Sequence, residues 1–307
     1  MEKTEWVPKM DKLGKNVQST LSFASTQYKA GNFDKAIEEL QKVLQMDNKN
    51  CDAYLLLAKI LYERGEFEKA QLTIETSLKY DPKFSKSYLL MARILYEKGE
   101  YQRAIEMCEK AVECDPNSFN GYVMLGNLLG IIKDYKRAKQ AYKKALEINP
   151  DIPTAHRQLG KIYLFEGKIQ DAIEELKSSL RLNPTSSDSH IKLGDIYFSC
   201  GQFEDAIKEY REAHRIDPNS DTACVKAGDT YFKLKRFSDA LIEYRQSIRI
   251  EPKNALGHCG MGKVFLELKQ YREAIAEFQA ALKIDPELHE AKIGLSLTEK
   301  FYNEKIT

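Results

Sequence analysis

The chain has 307 residues, of which 43% are hydrophobic and 30% are charged, a composition typical of folded globular proteins rather than disordered ones. Its 47 Lys and Arg nearly cancel its 46 Asp and Glu, so the net charge of +1 argues against general binding to nucleic acids or acidic membranes. Residues 1–16 contain no secretory signal, and no apolar run is long enough to span a bilayer. These missing signals indicate a cytoplasmic location without membrane insertion.

A 34-residue period occupies most of the chain. Eight alanines recur at this spacing without an insertion or deletion: Ala36, Ala70, Ala104, Ala138, Ala172, Ala206, Ala240 and Ala274. A fixed period of this length is typical of solenoids, whose units stack only on their neighbours, and we therefore expect one elongated domain. With the frame starting at Val17, the repeats are 17–50, 51–84, 85–118, 119–152, 153–186, 187–220, 221–254 and 255–288.

The two ends lie outside this frame. Residues 1–16 form an N-terminal extension, and residues 289–307 are predicted to form a C-terminal capping helix. A terminal repeat needs a polar outer face for solubility, and Lys292, Ser296 and Glu299 supply one on the cap.

Each repeat is predicted to contain two amphipathic helices. In the repeat 85–118, Tyr88, Ala92 and Leu95 recur at three- and four-residue steps and mark one apolar helix face. Gly99 then supplies the positive φ that ends the first helix, and glycines match it in four other repeats. At three turns a lysine replaces it: Lys133, Lys235 and Lys269.

Small residues hold the eighth place of every repeat, and most repeats have a large residue at the twenty-fourth place. The small residues are Ala24, Ala58, Ala92, Gly126, Gly160, Gly194, Gly228 and Gly262. We expect the small residues to let two helices approach closely while the large ones fill the space beside them. Proline near the end of seven repeats is expected to stop the second helix.

This pattern resembles the tetratricopeptide repeat (TPR) family, whose unit is a helix–turn–helix of the same length. The resemblance covers residues 17–288, although Asn48 replaces the proline of the first repeat and the family's tryptophan is missing throughout. It implies an all-α, right-handed α-α superhelical TPR solenoid that ends in the C-terminal capping helix. It also implies a non-catalytic scaffold or adaptor that binds another protein.

In the resembling family, the first helices line a concave groove with places 2, 5, 6, 9, 12 and 13 of each repeat. Carried onto this chain, these places are apolar with spaced cations in repeats two to five, and carry cations beside aspartates in repeats five to seven. The predicted groove residues are Leu55, Lys59, Leu89, Leu90, Arg93, Val123, Met124, Asn127, Ile131, Arg157, Lys161, Phe165, Lys192 and Lys226. Such a surface suits a peptide or helix of a partner that carries apolar and acidic groups.

Some members of the family bind acidic C-terminal tails through Lys, Asn and Arg in three successive repeats. Arg157, Lys161, Lys192 and Lys226 partly match that arrangement, but the asparagines are absent. In addition, Asp195 and Asp229 would repel a carboxylate unless they are paired. The resemblance therefore does not extend to this particular ligand.

The sequence contains no pattern typical of catalysis, of a metal site or of a cofactor site. None of its six cysteines forms a Cys-x-x-Cys pair, so we expect reduced thiols. His156, His190 and His258 share the fourth place of their repeats, where other repeats carry tyrosine. We interpret them as rings that pack between helices, because stacked units hold them too far apart for one tetrahedral metal site.

Two alternative functions remain open. The first is a self-associating scaffold, in which the groove of one copy takes the end of another, for example the segment that contains Trp6. The second is RNA binding along Lys59, Arg93, Lys161 and Lys263. The near-zero net charge and the lack of a regular base-reading pattern make nucleic acid an unlikely partner.

Overall fold

The computed structural model describes residues 7–306, without the side chains of residues 7–13, 15, 305 and 306. Over this range it contains seventeen α-helices and no strand. Trp6, with its predicted role in self-association, lies outside the described residues. The helices are α1 (Val7–Lys29), α2 (Phe33–Met46), α3 (Cys51–Glu63), α4 (Phe67–Tyr80), α5 (Ser85–Glu97), α6 (Tyr101–Cys114), α7 (Phe119–Ile131), α8 (Tyr135–Ile148), α9 (Pro153–Phe165), α10 (Ile169–Leu182), α11 (Ser187–Ser199), α12 (Phe203–Ile216), α13 (Asp221–Lys233), α14 (Phe237–Ile250), α15 (Ala255–Glu267), α16 (Tyr271–Ile284) and α17 (His289–Ile306).

The helices pair in chain order, α1 with α2, α3 with α4, and so on to α15 with α16. From α3 to α16, each first helix has 13 residues and each second helix 14. The last helix, α17, packs on α16 and α15. The all-α repeat architecture and the C-terminal capping helix that the sequence predicted are therefore confirmed.

The first helix is longer than the repeat frame indicated. It runs without a break from Val7, inside the segment predicted as an extension, to Lys29. Val17 and Leu21 pack against the core that α1 shares with α2 and α3. The repeat frame therefore begins inside α1 and not at the start of the helix.

The turn inside each repeat requires one residue in the left-handed region. Gly99 has a φ of +75°, and the lysines that replace glycine at other turns have nearly the same conformation. Lys133, Lys235 and Lys269 have φ values of +63°, +58° and +60°. These three turns keep the glycine geometry and carry the steric cost of a Cβ in this region.

Small and large core residues are matched within each repeat. Gly194 and Gly228 face Tyr210 and Tyr244, and a Cβ added to either glycine would lie only 2.6 or 2.7 Å from the ring. The first three repeats carry alanine at the same place, and there the facing residues are not aromatic: Leu40, Ile74 and Cys108. Glycine at the eighth place faces a ring at the twenty-fourth in four of the five repeats that carry it, whereas Gly160 faces Leu176.

The contacts divide the chain into two compact units, Met1–Pro150 and Asp151–Thr307, which we call unit 1 and unit 2. Unit 1 contains α1 to α8, and unit 2 contains α9 to α17. The sequence led us to expect one elongated domain, because its period continues unchanged across this boundary. Periodicity reports the repeated unit but does not show where contacts cluster.

Candidate functional site

The first helices line one side of each unit. In unit 1, α1 contacts α3, α3 contacts α5 and α5 contacts α7; in unit 2, α13 contacts α15 and α15 contacts α17. The groove places predicted from the sequence all belong to these first helices. We call the side that they line the first-helix face of the unit.

Most of the predicted groove residues of unit 1 offer surface to a ligand. Lys59, Arg93, Asn127 and Ile131 are exposed, while Leu89, Val123 and Met124 are half-buried. Two residues require a correction: Leu55 and Leu90 are only 5% and 7% exposed. These leucines pack into the core, so they support the face from below and present almost no area of their own.

A cleft of 540 Å³ lies on the first-helix face between α1, α3 and α5. Three lysines and one aspartate provide its charge, and leucines form its apolar part. The lining residues are Gln18, Leu21, Ser22, Ser25, Thr26, Lys29, Asp52, Leu55, Leu56, Lys59 and Lys86. Lys86 Nζ is 3.9 Å from Asp52 Oδ1, whereas Lys29 and Lys59 have no carboxylate within salt-bridge distance among the described residues. The cleft therefore carries uncompensated positive charge beside apolar surface.

The part of the cleft formed by α1 was missed by the sequence reasoning. Ser22, Ser25 and Lys29 occupy the sixth, ninth and thirteenth places of the first repeat, which are the same groove places that were used for the later repeats. Applying those places to the first repeat as well would have found them.

Arg93 provides a further cation in the middle of the same face. Its guanidinium carbon lies 5.1 Å from the centroid of the Tyr62 ring, a cation–π contact that holds the side chain without neutralising its charge. Tyr62 is itself oriented by a hydrogen bond from its hydroxyl to Glu97 Oε1, at 2.9 Å. Arg93 is thus positioned and exposed at the same time.

In unit 2, the predicted cations on α9 are already paired. Arg157 Nη1 and Lys161 Nζ lie 3.3 and 3.0 Å from Asp188 Oδ2 on α11. Phe165, at the end of α9, is 75% exposed. The structure brings the two predicted cations together on one aspartate, which offsets much of the charge that a carboxylate ligand would need.

The cations on α11 and α13 share a second aspartate. Lys226 Nζ lies 2.8 Å from Asp195 Oδ1, and Lys192 Nζ lies 3.8 Å from Asp195 Oδ2. Tyr210 also donates a hydrogen bond to Asp195, at 2.9 Å. Asp195 is thus paired and would not repel an anionic ligand by itself. Its partners, however, are the cations that were predicted to bind that ligand.

The three histidines at the fourth place connect the two helices of their repeats. Each places Nδ1 at 2.6 or 2.7 Å from a glutamate on the second helix. The pairs are His156–Glu175, His190–Glu209 and His258–Glu277. Within the described residues, no group of three or more His, Cys, Asp or Glu side chains is placed to hold a metal ion. The histidines therefore link the two helices of their repeats through hydrogen bonds.

All six cysteines are free thiols. Burial raises the pKa of Cys108 and Cys224 to about 12 and that of Cys259 to about 11. Since the thiolate is the nucleophilic form, these three side chains are unreactive near neutral pH.

In the part of the chain that the structure describes, no helix is both long and apolar enough to cross a bilayer.

Family models of the tetratricopeptide repeat match successive parts of the chain. The matched residues are 27–94 and 165–212, 194–235 and 228–269, 119–152, 85–118 and 255–288, and 141–174. Together these matches extend over residues 27–288. No curated protein matches the sequence.

Solved structures with the same fold share little sequence with this chain. The APC/C hetero-tetramer Cut9-Hcn1 is 22% identical with a TM-score of 0.59, and the match covers 91% of this chain and 55% of that one. PilF of Pseudomonas aeruginosa is 21% identical with a TM-score of 0.60, covering 71% and 97%. YrrB, a TPR protein with an unusual peptide-binding site, is 23% identical with a TM-score of 0.53, covering 60% and 95%. The chain thus spans about half the length of the Cut9-Hcn1 chain that it matches.

Proposed function

The chain belongs to the tetratricopeptide repeat family, and on that premise we propose that it is a non-catalytic scaffold or adaptor that binds a peptide or helix of another protein. The binding surface is the first-helix face of unit 1. The fold is generally an interaction scaffold rather than an enzyme.

One observation carries the proposal: unit 1 presents unneutralised cations beside apolar surface. Lys59 and Arg93 are exposed, and no carboxylate of the described chain lies within salt-bridge distance of either. Leu89, Val123 and Met124 lie half-buried on the same face. Acidic groups complement the cations, and apolar side chains gain by covering the leucine, valine and methionine. YrrB, which shares the fold, has a peptide-binding site, and a peptide is the class of ligand proposed here.

The proposal is tested by affinity capture from a cell lysate with three baits. The first is the intact protein, the second carries Leu89→Glu, Arg93→Glu and Met124→Glu, and the third carries matched changes in unit 2. The matched changes are Phe165→Glu, Ser199→Glu and Lys233→Glu, all at exposed positions. Circular dichroism first establishes that both variants remain folded.

We expect a partner that is captured by the intact protein and by the unit 2 variant but not by the unit 1 variant. Equal capture by all three baits would place the interaction elsewhere. Loss only with the unit 2 variant would assign the function to the other face. Capture of further copies of this chain would favour the self-associating scaffold instead.

A further inference from the structure

Charge is unevenly distributed along the first-helix face of unit 1. The cleft at one end, between α1, α3 and α5, contains Lys29, Lys59 and Lys86 with Asp52 as its one carboxylate. At the other end, α7 has the sequence FNGYVMLGNLLGI and contains no charged residue. The lining of the cleft is therefore cationic, whereas α7 is uncharged.

A repeated hydrogen bond ends at the same place. Tyr28 on α1 donates to Glu63 on α3, and Tyr62 on α3 donates to Glu97 on α5. The next step would join a tyrosine on α5 to an acid on α7, but the residue there is isoleucine.

The consequence is an exposed apolar pair at this end of the face. Tyr96 is 40% exposed and Ile131 is 44% exposed, and Ile131 has no polar atom to accept the tyrosine's hydrogen bond. Val123 and Met124 lie half-buried on the same helix. Both the missing charge and the missing acid thus mark the α7 end as the place for apolar side chains.

We infer that the partner segment lies across the first helices in a single orientation, with its acidic residues in the cleft of α1, α3 and α5 and its apolar residues on α7. This inference rests on the proposed function and deepens it. The opposite placement would bring carboxylates onto α7, where no cation compensates for their lost hydration, and apolar side chains among the ammonium groups.

The length of the face sets the length of the segment. Packed helices lie about 8–10 Å apart, so the three steps from α1 to α7 span roughly 30 Å. An extended chain rises about 3.3 Å per residue and covers that span with about nine residues. The occupant is therefore a short extended segment of a protein, acidic at one end and apolar at the other.

The test uses a fluorescently labelled probe peptide of that design, Glu-Asp-Glu-Gly-Ser-Gly-Leu-Met-Leu, and a second peptide in which Gln-Asn-Gln replaces the three acids. Binding of each is measured by fluorescence anisotropy to the full chain, to Lys29→Gln with Lys59→Gln, and to Met124→Ser with Ile131→Ser. The four changed side chains are exposed or half-buried, so both double variants are expected to fold.

We expect the lysine variant to weaken the acidic peptide about tenfold and the amide peptide by less than about twofold, since the acids couple only to the lysines. The α7 variant is expected to weaken both peptides by the same factor. Two results would overturn the single orientation while leaving binding on this face intact. In the first, the α7 variant weakens the acidic peptide more than the amide peptide. In the second, each variant weakens both peptides by the same factor.

Two other results bear on the proposed function itself. Tight binding that neither variant changes would show that the peptide binds away from the first-helix face of unit 1. No measurable binding of the acidic peptide would overturn the inferred occupant, and the affinity capture described above would then decide separately whether the face binds a protein at all.

Discussion

The two units use one repeat frame and yet differ in how far the cations of their first-helix faces are neutralised. In unit 1, Lys29, Lys59 and Arg93 have no carboxylate within salt-bridge distance among the described residues. In unit 2, Asp195 lies between Lys192 and Lys226, and its side chain offsets their charge. The comparison shows how little needs to change in a repeat for its binding surface to change.

A single position accounts for much of the difference. At the ninth place, repeat four has Asn127 and repeat six has Asp195, and both accept a hydrogen bond from a buried tyrosine hydroxyl. Tyr142 donates to Asn127 at 2.7 Å, and Tyr210 donates to Asp195 at 2.9 Å. An amide oxygen and a carboxylate oxygen are equivalent for this bond. Where a tyrosine occupies the twenty-fourth place, the ninth place thus supplies its acceptor, which is neutral in Asn127 and charged in Asp195.

The largest effect is expected where a small residue at the eighth place faces a large residue at the twenty-fourth, a pairing found in repeats of both units. Gly262→Ala places a Cβ 2.8 Å from the Phe278 ring, so the ring or the helix must shift. We expect a loss of about 1–3 kcal/mol in the free energy of unfolding, measured by chemical denaturation. Gly130→Ala in unit 1 is the matched control, because nothing lies within 4 Å of the added atom. There the better helix propensity of alanine should stabilise by about 0.5–1 kcal/mol.

The first three repeats suggest how to rescue that loss. They carry alanine at the eighth place opposite residues smaller than phenylalanine, as with Ala24 and Leu40. Adding Phe278→Leu to Gly262→Ala should therefore recover part of the stability. If the double variant lost more unfolding free energy than the two single variants lose in sum, the matching of small and large residues would be wrong.

A second prediction converts the face of unit 2 into one that resembles unit 1. Asp188→Asn and Asp195→Asn remove the two charges that neutralise the cations of α9, α11 and α13, while Asn at 195 can still accept from Tyr210. We expect the double variant to bind the acidic probe peptide about tenfold more tightly through unit 2. This site is read out in a background that carries Lys29→Gln and Lys59→Gln, which weaken binding to unit 1. No gain in affinity would mean that charge pairing does not distinguish the two faces.

A smaller difference between the units lies in how the two helices of a repeat are connected. Tyr88 of unit 1 donates its hydroxyl proton to the carbonyl of Pro82 at 3.1 Å. His190 of unit 2 makes the equivalent contact through Nε2, 3.2 Å from the carbonyl of Pro184, and a second contact through Nδ1, 2.6 Å from Glu209 Oε2. Both ring nitrogens thus face acceptors, and the charged imidazolium, with two N–H groups, satisfies both.

This geometry gives unit 2 a dependence on pH. Burial disfavours the charged ring, but the hydrogen bonds to Glu209 and Pro184 and the charges of Glu209 and Glu212 on α12 outweigh it and raise the pKa of His190. Because the pKa of His190 is raised on folding, protonation of the ring stabilises the folded state. This stabilisation is complete below the unfolded pKa of about 6.5 and is lost as the pH rises through the folded pKa. We expect the free energy of unfolding to fall by on the order of 1 kcal/mol between about pH 6 and about pH 8.5, through the loss of the His190 contacts.

The matched control copies the second repeat, which has Tyr54 and Thr73 at the corresponding places. In a variant with His190→Tyr and Glu209→Thr, the denaturation midpoint should fall less over the same pH range. An equal fall in both proteins would show that His190 is not responsible. An NMR titration that gave His190 a pKa below 6.5 would contradict the direction of the shift.

The sequence was sufficient for the architecture because that depends on spacing. The 34-residue period, the small eighth place and the turn glycines predicted the helix pairs, and the lysines at three turns adopt the same left-handed conformation. It also predicted that the fourth-place histidines pack between helices. These features are local or repeat in register, so each copy supports the interpretation of the others.

The binding faces were harder to predict because exposure and pairing depend on contacts between repeats. Leu55 and Leu90 share groove places with half-buried residues such as Val123 and Met124, but are themselves buried. The pairing of Lys226 with Asp195 joins residues on different first helices, and their spacing in sequence does not give the distance between them. The α1 side of the cleft was missed for a different reason, since the first repeat departs most from the pattern.

The central claim is that unit 1, and not unit 2, presents the first-helix face that binds. Hydrogen exchange of the intact chain, with and without the acidic probe peptide, tests it most directly, because binding slows the opening of the helices that are contacted. We predict slower exchange in α3, α5 and α7, with α11 and α13 unchanged. Protection confined to α11 and α13, or to the second helices of either unit, would contradict the account.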